Sequence, residues 1–194
     1  WLAGQQLEFT QHGAQRTFRF WSSGEKAEAM AISTEALLRW QAAGIPCFHT
    51  FGTLLGMVRE GDLLAHDDDI DAVAVVPVAA DETPEQAVAA LELRLRDLGH
   101  ATAGDYRFHR HVQHRGFWFD LFVATVQGEE LTFWGTKIWS TTATIVLPTQ
   151  EVTVGGLPCM LPGDPEHVLE GIYGSRWHTP QPYHYTAIQR ALGA

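Results

Sequence analysis

Apolar residues recur at helical spacing in three segments of the chain. Between Gly24 and Ala43 they return every three or four positions, and Gly44 follows as a stop. A second helix is predicted from Thr83-Pro84-Glu85-Gln86, which supplies an N-cap, a proline at the first helical position and a capping-box glutamine. A third helix is predicted to open at Asp164-Pro165 and to end at Gly174.

Three short, mostly apolar segments between these helices predict buried strands. Ile45 to Thr50 leads through a Gly-Thr turn into a short helical segment, Leu54 to Arg59. Ile70 to Val78 is rich in Val and Ala, and Phe117 to Val126 alternates large apolar residues around one polar exception, Asp120. A buried polar residue needs a reason, so Asp120 is a candidate functional residue.

The C-terminal third and the order of elements indicate the fold class. Ile138 to Leu147 and Glu151 to Met160 predict a hairpin region with Gly155-Gly156 as a tight turn. The order predicts an α/β (α+β) fold: a mixed sheet flanked by helices, with a C-terminal hairpin and helix. A chain of 194 residues, 45% of them hydrophobic, can bury roughly 70% of its unfolded surface. No linker or repeat interrupts it, and we expect one domain over residues 1–194.

The net charge and the cysteine content limit the classes of partner and the cellular location that we expect. A formal net charge of −10 argues against a nucleic-acid partner, whose phosphates are neutralised by Lys and Arg. Cys47 and Cys159 form no C-x-x-C pair, which fits a reducing, cytoplasmic location. No apolar stretch reaches the roughly 18 to 20 residues of a transmembrane helix, and the N-terminal residues do not have the pattern of a signal peptide.

Part of the negative charge is concentrated in the run Asp67-Asp68-Asp69-Ile70-Asp71. The period of two in a strand puts Asp69 and Asp71 on one face, and a neighbouring strand can bring Asp120 to the same point. Such a set suits Mg²⁺, which takes few carboxylates and leaves positions open for substrate phosphates. Two such ions can activate the attacking oxygen and stabilise the leaving one. The simpler alternative is an acidic, solvated turn.

Upstream, Gly52 and Thr53 stand between a predicted strand and a predicted helix. Free backbone N–H groups and the helix dipole favour a phosphate there, although a Gly-Thr turn also serves as a plain helix cap.

The residues around these positions carry a family resemblance. The stretch from Phe51-Gly52-Thr53-Leu54-Leu55-Gly56 to Arg59, continuing to the run Asp67 to Asp71, closely resembles the LicD/fukutin family. Tyr173-Gly174-Ser175-Arg176-Trp177-His178-Thr179-Pro180 resembles that family's Tyr-Gly, Trp, Pro signature, and Gly155-Gly156-Leu157-Pro158 resembles the hairpin that precedes it. The resemblance covers roughly Glu35 to Pro180.

The resemblance implies a nucleotidyltransferase-like fold and a transferase of phosphorylated alcohols, such as phosphocholine, ribitol phosphate or glycerol phosphate. The implied donor is CDP-linked, the implied acceptor is a hydroxyl of a cell-surface glycan or its precursor, and CMP leaves. The implied cofactor is Mg²⁺, as one or two ions, with Mn²⁺ as a substitute. Asp69, Asp71 and Asp120 match the metal and catalytic positions, and Asp120 would also accept the acceptor's proton.

Further residues are expected to bind substrate. Gly52 and Thr53 match the family's turn and would cradle the diphosphate, while Arg59 matches a basic position and would offset its charge. Ala65-His66 stands where bacterial members carry Pro-Trp, which makes His66 a candidate substrate contact. Trp177, in a polar loop, is a candidate for stacking on a base, a sugar or a choline headgroup.

Several alternatives remain open from the residues themselves. One is a nucleotidyltransferase that transfers a nucleoside monophosphate to a small molecule, and another is an inactive binding module of the same fold. His109, His111 and His114 have a spacing from which a zinc site could be drawn, although such histidines more often decorate a strand and turn. Phosphate contact is instead expected from one of four basic residues: Arg107, Arg110, Arg115 or Lys137.

Overall fold

The structure is a computed structural model that describes residues 6–104, 106–134 and 138–180. The strands in these ranges are β1 (Glu8–Thr10), β2 (Gly13–Gln15), β3 (Cys47–His49), β4 (Asp71–Pro77), β5 (Ala101–Ala103), β6 (His109–His114), β7 (Phe117–Gln127), β8 (Glu130–Trp134), β9 (Trp139–Thr142), β10 (Gln150–Val154) and β11 (Leu157–Leu161). The α-helices are α1 (Ser23–Ala42), α2 (Phe51–Arg59), α3 (Pro84–Asp97), α4 (Ala143–Val146) and α5 (Pro165–Tyr173). None of these helices is both long and apolar enough to cross a bilayer.

The long strand β7 is the centre of the main sheet, whose order is β3-β4-β7-β6-β5. Strand β8 also pairs with β7, and β9 pairs with β8. On one side β7 runs parallel to β4, with Asp71 opposite Asp120. On the other side it runs antiparallel to β6 along its first half and to β8 along its second half. The sheet is therefore mixed, and the predicted fold class is confirmed.

Helices and apolar side chains cover this sheet. Helix α1 packs against β3, β6, β7 and β11, while α3 packs against β4 and β5, and α2 packs against α5. Trp40, Phe48 and Phe119 are among the largest fully buried side chains of the core. Helices α1, α3 and α5 confirm the three helices predicted from periodicity, and the predicted capping box of Thr83 with Gln86 is present.

Two predicted boundaries are wrong in ways that affect the site. Helix α2 begins at Phe51, three residues earlier than predicted, so Gly52 and Thr53 lie in its first turn and not in a turn before it. A single extended residue, Thr50, joins β3 to α2, and its N–H donates to the carbonyl of Asp71 at 3.0 Å. Strand β4 starts only at Asp71, so Asp69 belongs to the preceding segment.

The predicted hairpin region, 138–147 and 151–160, contains a hairpin only in its second segment. The hairpin consists of β10 and β11 alone, and Gly155-Gly156 forms its turn as predicted. Strand β9 instead pairs with β8, a strand that the apolar pattern did not mark. The ring of Trp139 stacks on Phe133 at 4.5 Å, and this contact keeps β9 on the main sheet.

A buried histidine joins three elements behind the sheet. Met160 N donates to Nδ1 of His49 at 3.1 Å, and Ser33 Oγ lies 3.0 Å from its Nε2. Because a backbone N–H only donates, Nδ1 accepts and the imidazole is neutral. Burial lowers the pKa of His49 to about 3. The ring thus links β11, β3 and α1 only while it is uncharged.

This arrangement predicts acid sensitivity. Below pH 6.5 the unfolded chain binds a proton at His49 that the folded chain excludes until about pH 3, so stability falls across this window as the pH drops. The full slope for one proton is about 1.4 kcal/mol per pH unit. Denaturant unfolding of the wild type and of His49→Gln should give a stability difference that shrinks as the pH is lowered. A pH-independent difference would contradict the prediction.

Candidate active site

Strands β4 and β7 bring two predicted carboxylates together at the start of their shared ladder. Asp71 and Asp120 are direct partners in the parallel register, and the Asp120 N–H donates to the Ile70 carbonyl at 2.9 Å. Paired residues of neighbouring strands present their side chains on the same face. The expectation that neighbouring strands would bring carboxylates to one place therefore holds for this pair.

A tighter acidic group forms on the approach to β4. Oxygen atoms of Asp67, Asp69 and Asp71 all lie within 4.8 Å of one another, and Asp71 is only 7% exposed. Burial, reinforced by the charge of Asp69, raises the pKa of Asp67 to about 7. Burial and the charges of Asp69 and Asp67 also raise the pKa of Asp71 well above its usual range. Three neighbouring carboxylates in a poorly solvated place repel one another unless a cation neutralises their charge.

The first turn of α2 holds this group in position. Gly52 N donates to Asp71 Oδ2 at 3.3 Å, and Thr53 Oγ1 accepts from the Asp71 backbone N–H at 2.9 Å. A Cβ added to Gly52 would overlap Asp67 Oδ2 and lie 3.7 Å from Asp71 Oδ2. Phe51 has a φ of 42°, a costly conformation for an aromatic residue, at the point where the chain turns into the helix. Gly52 thus contacts the Asp71 carboxylate and Thr53 contacts the Asp71 backbone, and their contact with a phosphate stays a prediction.

Asp120 has partners of its own. His111 Nδ1 lies 2.6 Å from Asp120 Oδ1, and His109 Nε2 lies 3.1 Å from Asp120 Oδ2. Burial raises the pKa of Asp120, but the contacts with the two histidines outweigh it and the net pKa is lowered. Asp120 therefore forms a separate group with His109 and His111, although its charge also acts on Asp69 and Asp71.

A second histidine contact lies at the other end of the acidic run. His12 Nδ1 is 3.3 Å from both carboxylate oxygens of Asp68 and 3.6 Å from Asp69 Oδ2. Burial lowers the pKa of His12, but the charges of Asp69 and Asp68 outweigh it and the net pKa is raised. The turn between β1 and β2 thus brings an imidazole to the edge of the site.

The C-terminal signature lies on the α2 side of the site. Arg59 is paired with Glu60 at 2.7 Å, and its Nη1 donates to the Trp177 carbonyl at 3.3 Å. Burial raises the pKa of the Tyr173 phenol, and the charges of Asp71 and Asp67 add to the effect, although 44% of that residue is exposed. Trp177 is partly buried against the core. A donor contact by Arg59 or Trp177 stays a prediction.

Other predicted residues lie elsewhere. His66 pairs with Glu8 at 3.1 Å and is 55% exposed, so its substrate contact also stays a prediction. His114 faces the opposite side of β6 and lies 3.2 Å from Glu35, so the three histidines do not form one zinc site. The three arginines proposed for phosphate contact are paired with glutamates: Arg107 with Glu85, Arg110 with Glu92 and Arg115 with Glu35. Lys137 lies outside the described residues.

A surface cavity of about 410 Å³ is lined by residues such as Gln41, Pro46, Ala143 and Thr149. Its lining is largely apolar and contains none of the acidic residues. The converging carboxylates and not this cavity therefore identify the candidate active site.

The acidic group fits a hard divalent cation. Three oxygen donors converge, burial raises the pKa of each carboxyl group, and the absence of a Cβ at Gly52 leaves room for the Asp67 carboxylate. Asp67, Asp69 and Asp71 would hold such an ion, which would polarise the phosphoryl oxygens of a substrate.

A known protein family matches most of this chain. Residues 44–164, more than half of the chain, match the model of the LicD/FKTN/FKRP nucleotidyltransferase domain. The chain belongs to this family. LicD-family proteins are phosphotransferases. The matched range contains Gly52, the acidic run and Asp120.

Two solved structures of the antibiotic-resistance factor ANT(2'')-Ia are similar to the LicD-family chain. The solution structure is 15% identical over 71% of this chain and 66% of that one, just under two thirds of its length, with a TM-score of 0.43. The crystal structure with adenylyl-2''-tobramycin is 14% identical over 84% of each chain, with a TM-score of 0.44. No curated protein matches the sequence.

Three residues that were not predicted for the candidate site lie in it, and a fourth, Tyr173, borders it. Asp67 belonged to the acidic run but was not singled out, because its oxygen reaches the group only through the turn before β4. His109 and His111 carried the right signal, an H-x-H alternation on a strand, but were considered together with His114. Tyr173 was part of the family signature without a role of its own.

We expect Gly52→Ala to weaken metal binding while the protein still folds. The new methyl group would push the Asp67 carboxylate aside, while alanine suits the helix better than glycine by roughly 0.5–1 kcal/mol. The variant should fold but lose the metal-induced stabilisation, which for the wild type is about 2.7 kcal/mol at a hundredfold excess over Kd. Thermal unfolding with and without Mg²⁺ or Mn²⁺ measures both effects.

Gly24→Ala is the matched control, since Gly24 is also in the first turn of a helix and its Cβ would meet only Ser22 Oγ at 3.9 Å. Full metal-induced stabilisation of Gly52→Ala would contradict the placement of the ion.

The crowded carboxylates also predict a gain in stability from a conservative change. Asp71→Asn removes a carboxyl group whose charged form is disfavoured by burial and by Asp69 and Asp67, and it keeps an oxygen that can accept from Gly52 N. At pH 8, without metal, the variant should unfold at a higher denaturant concentration than the wild type. Asp81→Asn, at an exposed position, should show no such gain. An equal or lower midpoint for Asp71→Asn would show that the charges are compensated in another way.

Proposed function

We propose that this enzyme transfers a phosphorylated alcohol from a CDP-linked donor to a hydroxyl of a cell-surface glycan or its precursor, with Mg²⁺ as cofactor and Mn²⁺ as substitute. The observation that carries the proposal is the convergence of Asp67, Asp69 and Asp71 next to Asp120 at the start of the parallel pair β4 and β7. The cytidine group, the alcohol and the glycan acceptor rest on the family resemblance.

The acidic group suits the diphosphate of the donor. When bound, Mg²⁺ neutralises the carboxylates and polarises the phosphoryl oxygens. Asp67, Asp69 and Asp71 orient the donor from one side, and the N-terminal turn of α2 holds Asp71 rigidly through Gly52 N and Thr53 Oγ1. Arg59 and Trp177, linked through the Trp177 carbonyl, border the donor on the α2 side.

The reaction is a displacement at the phosphorus that bears the alcohol. The acceptor oxygen forms a bond to this phosphorus, and the bond from the phosphorus to the CMP oxygen breaks. Asp120 takes the proton of the acceptor hydroxyl, and its contacts with His109 and His111 hold the carboxylate in position. The acceptor gains a phosphodiester and CMP leaves.

Product analysis tests this proposal. Incubation with Mg²⁺, a panel of CDP-alcohols and glycan acceptors should release CMP in step with the phosphodiester, as followed by ³¹P NMR. Asp69→Asn, Asp71→Asn and Asp120→Asn should each abolish turnover, because each removes a carboxylate from the site without creating a cavity. Asp81→Asn should keep wild-type turnover.

A nucleoside monophosphate found covalently attached to the acceptor would replace the proposal with the alternative, a nucleotidyltransferase that attacks the other phosphorus. Wild-type turnover in all three aspartate variants at limiting Mg²⁺ would sink the assignment of the site.

A further inference from the structure

The Asp120 group differs chemically from the acidic group next to it. Strand β6 pairs with β7 so that His111 lies opposite Asp120 and His109 lies opposite Phe122, and the two histidines share one face. One ring nitrogen from each histidine and one oxygen of Asp120 all lie within 4.8 Å of one another. Two imidazoles and one carboxylate thus converge in this group. The acidic group, in contrast, offers only oxygen donors.

Packing holds these side chains in place. The His109 ring stacks on Phe122 at 4.6 Å with an interplanar angle of 27°, and its side chain is 18% exposed. The ring of Phe122 in turn contacts Phe51 at 4.4 Å, which ties the histidine to the start of α2. The His111 side chain is 44% exposed, so one side of the group stays open to substrate.

Donor chemistry indicates the class of ion that such a group prefers. Oxygen donors suit Mg²⁺, whereas imidazoles suit borderline first-row transition ions such as Zn²⁺, Co²⁺ and Ni²⁺. A set of two histidines and one carboxylate leaves open positions on such an ion for a substrate oxygen. The two groups therefore prefer different ions.

We propose that His109, His111 and Asp120 form a second metal site, which takes a borderline transition ion in preference to Mg²⁺, beside the oxygen-only site of Asp67, Asp69 and Asp71. The role of this ion, to hold the acceptor hydroxyl, rests on the proposed function, but its binding does not. Asp120 is next to the oxygen-only site because it is the register partner of Asp71, while its carboxylate contacts the two imidazoles.

Zinc retention and cobalt NMR test the site directly. The whole chain is dialysed against Zn²⁺ in the presence of excess Mg²⁺, and the retained zinc is counted. The Co²⁺-loaded protein should then show two hyperfine-shifted, solvent-exchangeable imidazole N–H resonances, one from each ligating histidine. We expect one retained Zn²⁺ per chain and both resonances in the wild type.

Two variants and one control separate ligation from folding. His109→Phe keeps the ring stacking on Phe122 and should lose both the retained zinc and the His109 resonance. His111→Ala, at a half-exposed position, provides a second variant should the first fold poorly. His114→Gln is the matched control, because this histidine is on the same strand but faces the other side. It should retain zinc and both resonances.

Zinc retention by both variants at the wild-type level, or a Co²⁺ spectrum without exchangeable resonances, would overturn the second site and leave Asp120 with two structural histidine contacts. Mg²⁺-dependent CMP release would then leave the proposed function intact. Histidine-dependent zinc retention without CMP release from any CDP-alcohol would instead keep the metal site and sink the proposed function.

Discussion

The parallel pairing of β4 with β7 is the constraint on which the site depends. It sets Asp71 opposite Asp120. On its other side β7 pairs with β6, and this second ladder sets His111 opposite the same aspartate. A shift of one residue in either ladder would turn one of these side chains to the opposite face. The apolar residues that follow Asp71 and Asp120 secure the register, since Val73, Leu121 and Val123 are buried in the core.

The acidic group is unfavourable for the fold, and the surrounding structure offsets this cost. Asp67, Asp69 and Asp71 repel one another in a poorly solvated place, and the strained Phe51 adds to the cost. The capped helices α1 and α3 and the buried aromatic core stabilise the fold, and this stabilisation offsets the cost of the acidic group. Local conflict of this kind is typical of a functional site.

The pKa shift of Asp120, which contacts two histidines, is opposite to the shifts in the acidic group. On one side, His109 and His111 lower the pKa of Asp120 against the effect of burial, so this carboxylate is ionised without a cation. On the other, the group that includes Asp67 and Asp71 has raised pKa values. Under the proposed function, Asp120 would face the acceptor hydroxyl and the acidic group would face the diphosphate of the donor.

The sequence by itself determined the helices, the central strands and the family. Capping residues such as Thr83 and Gln86 act over three positions, and the apolar period acts within one element, so both can be read locally. The same local pattern marked Asp69, Asp71 and Asp120 as candidates. It did not reveal the short strand β8, and it therefore placed the residues of β9 in the hairpin region and not on the main sheet.

Only the tertiary structure decided which side chains share a site. Asp67 joins the acidic group through a turn, and the histidines of β6 divide between two faces, so that His111 contacts Asp120 and His114 contacts Glu35. The arginines that looked available for phosphate are paired with glutamates far away in sequence, as Arg115 is with Glu35. Such contacts depend on strand register and on the packing of distant elements, and neither is encoded in the spacing of neighbouring residues.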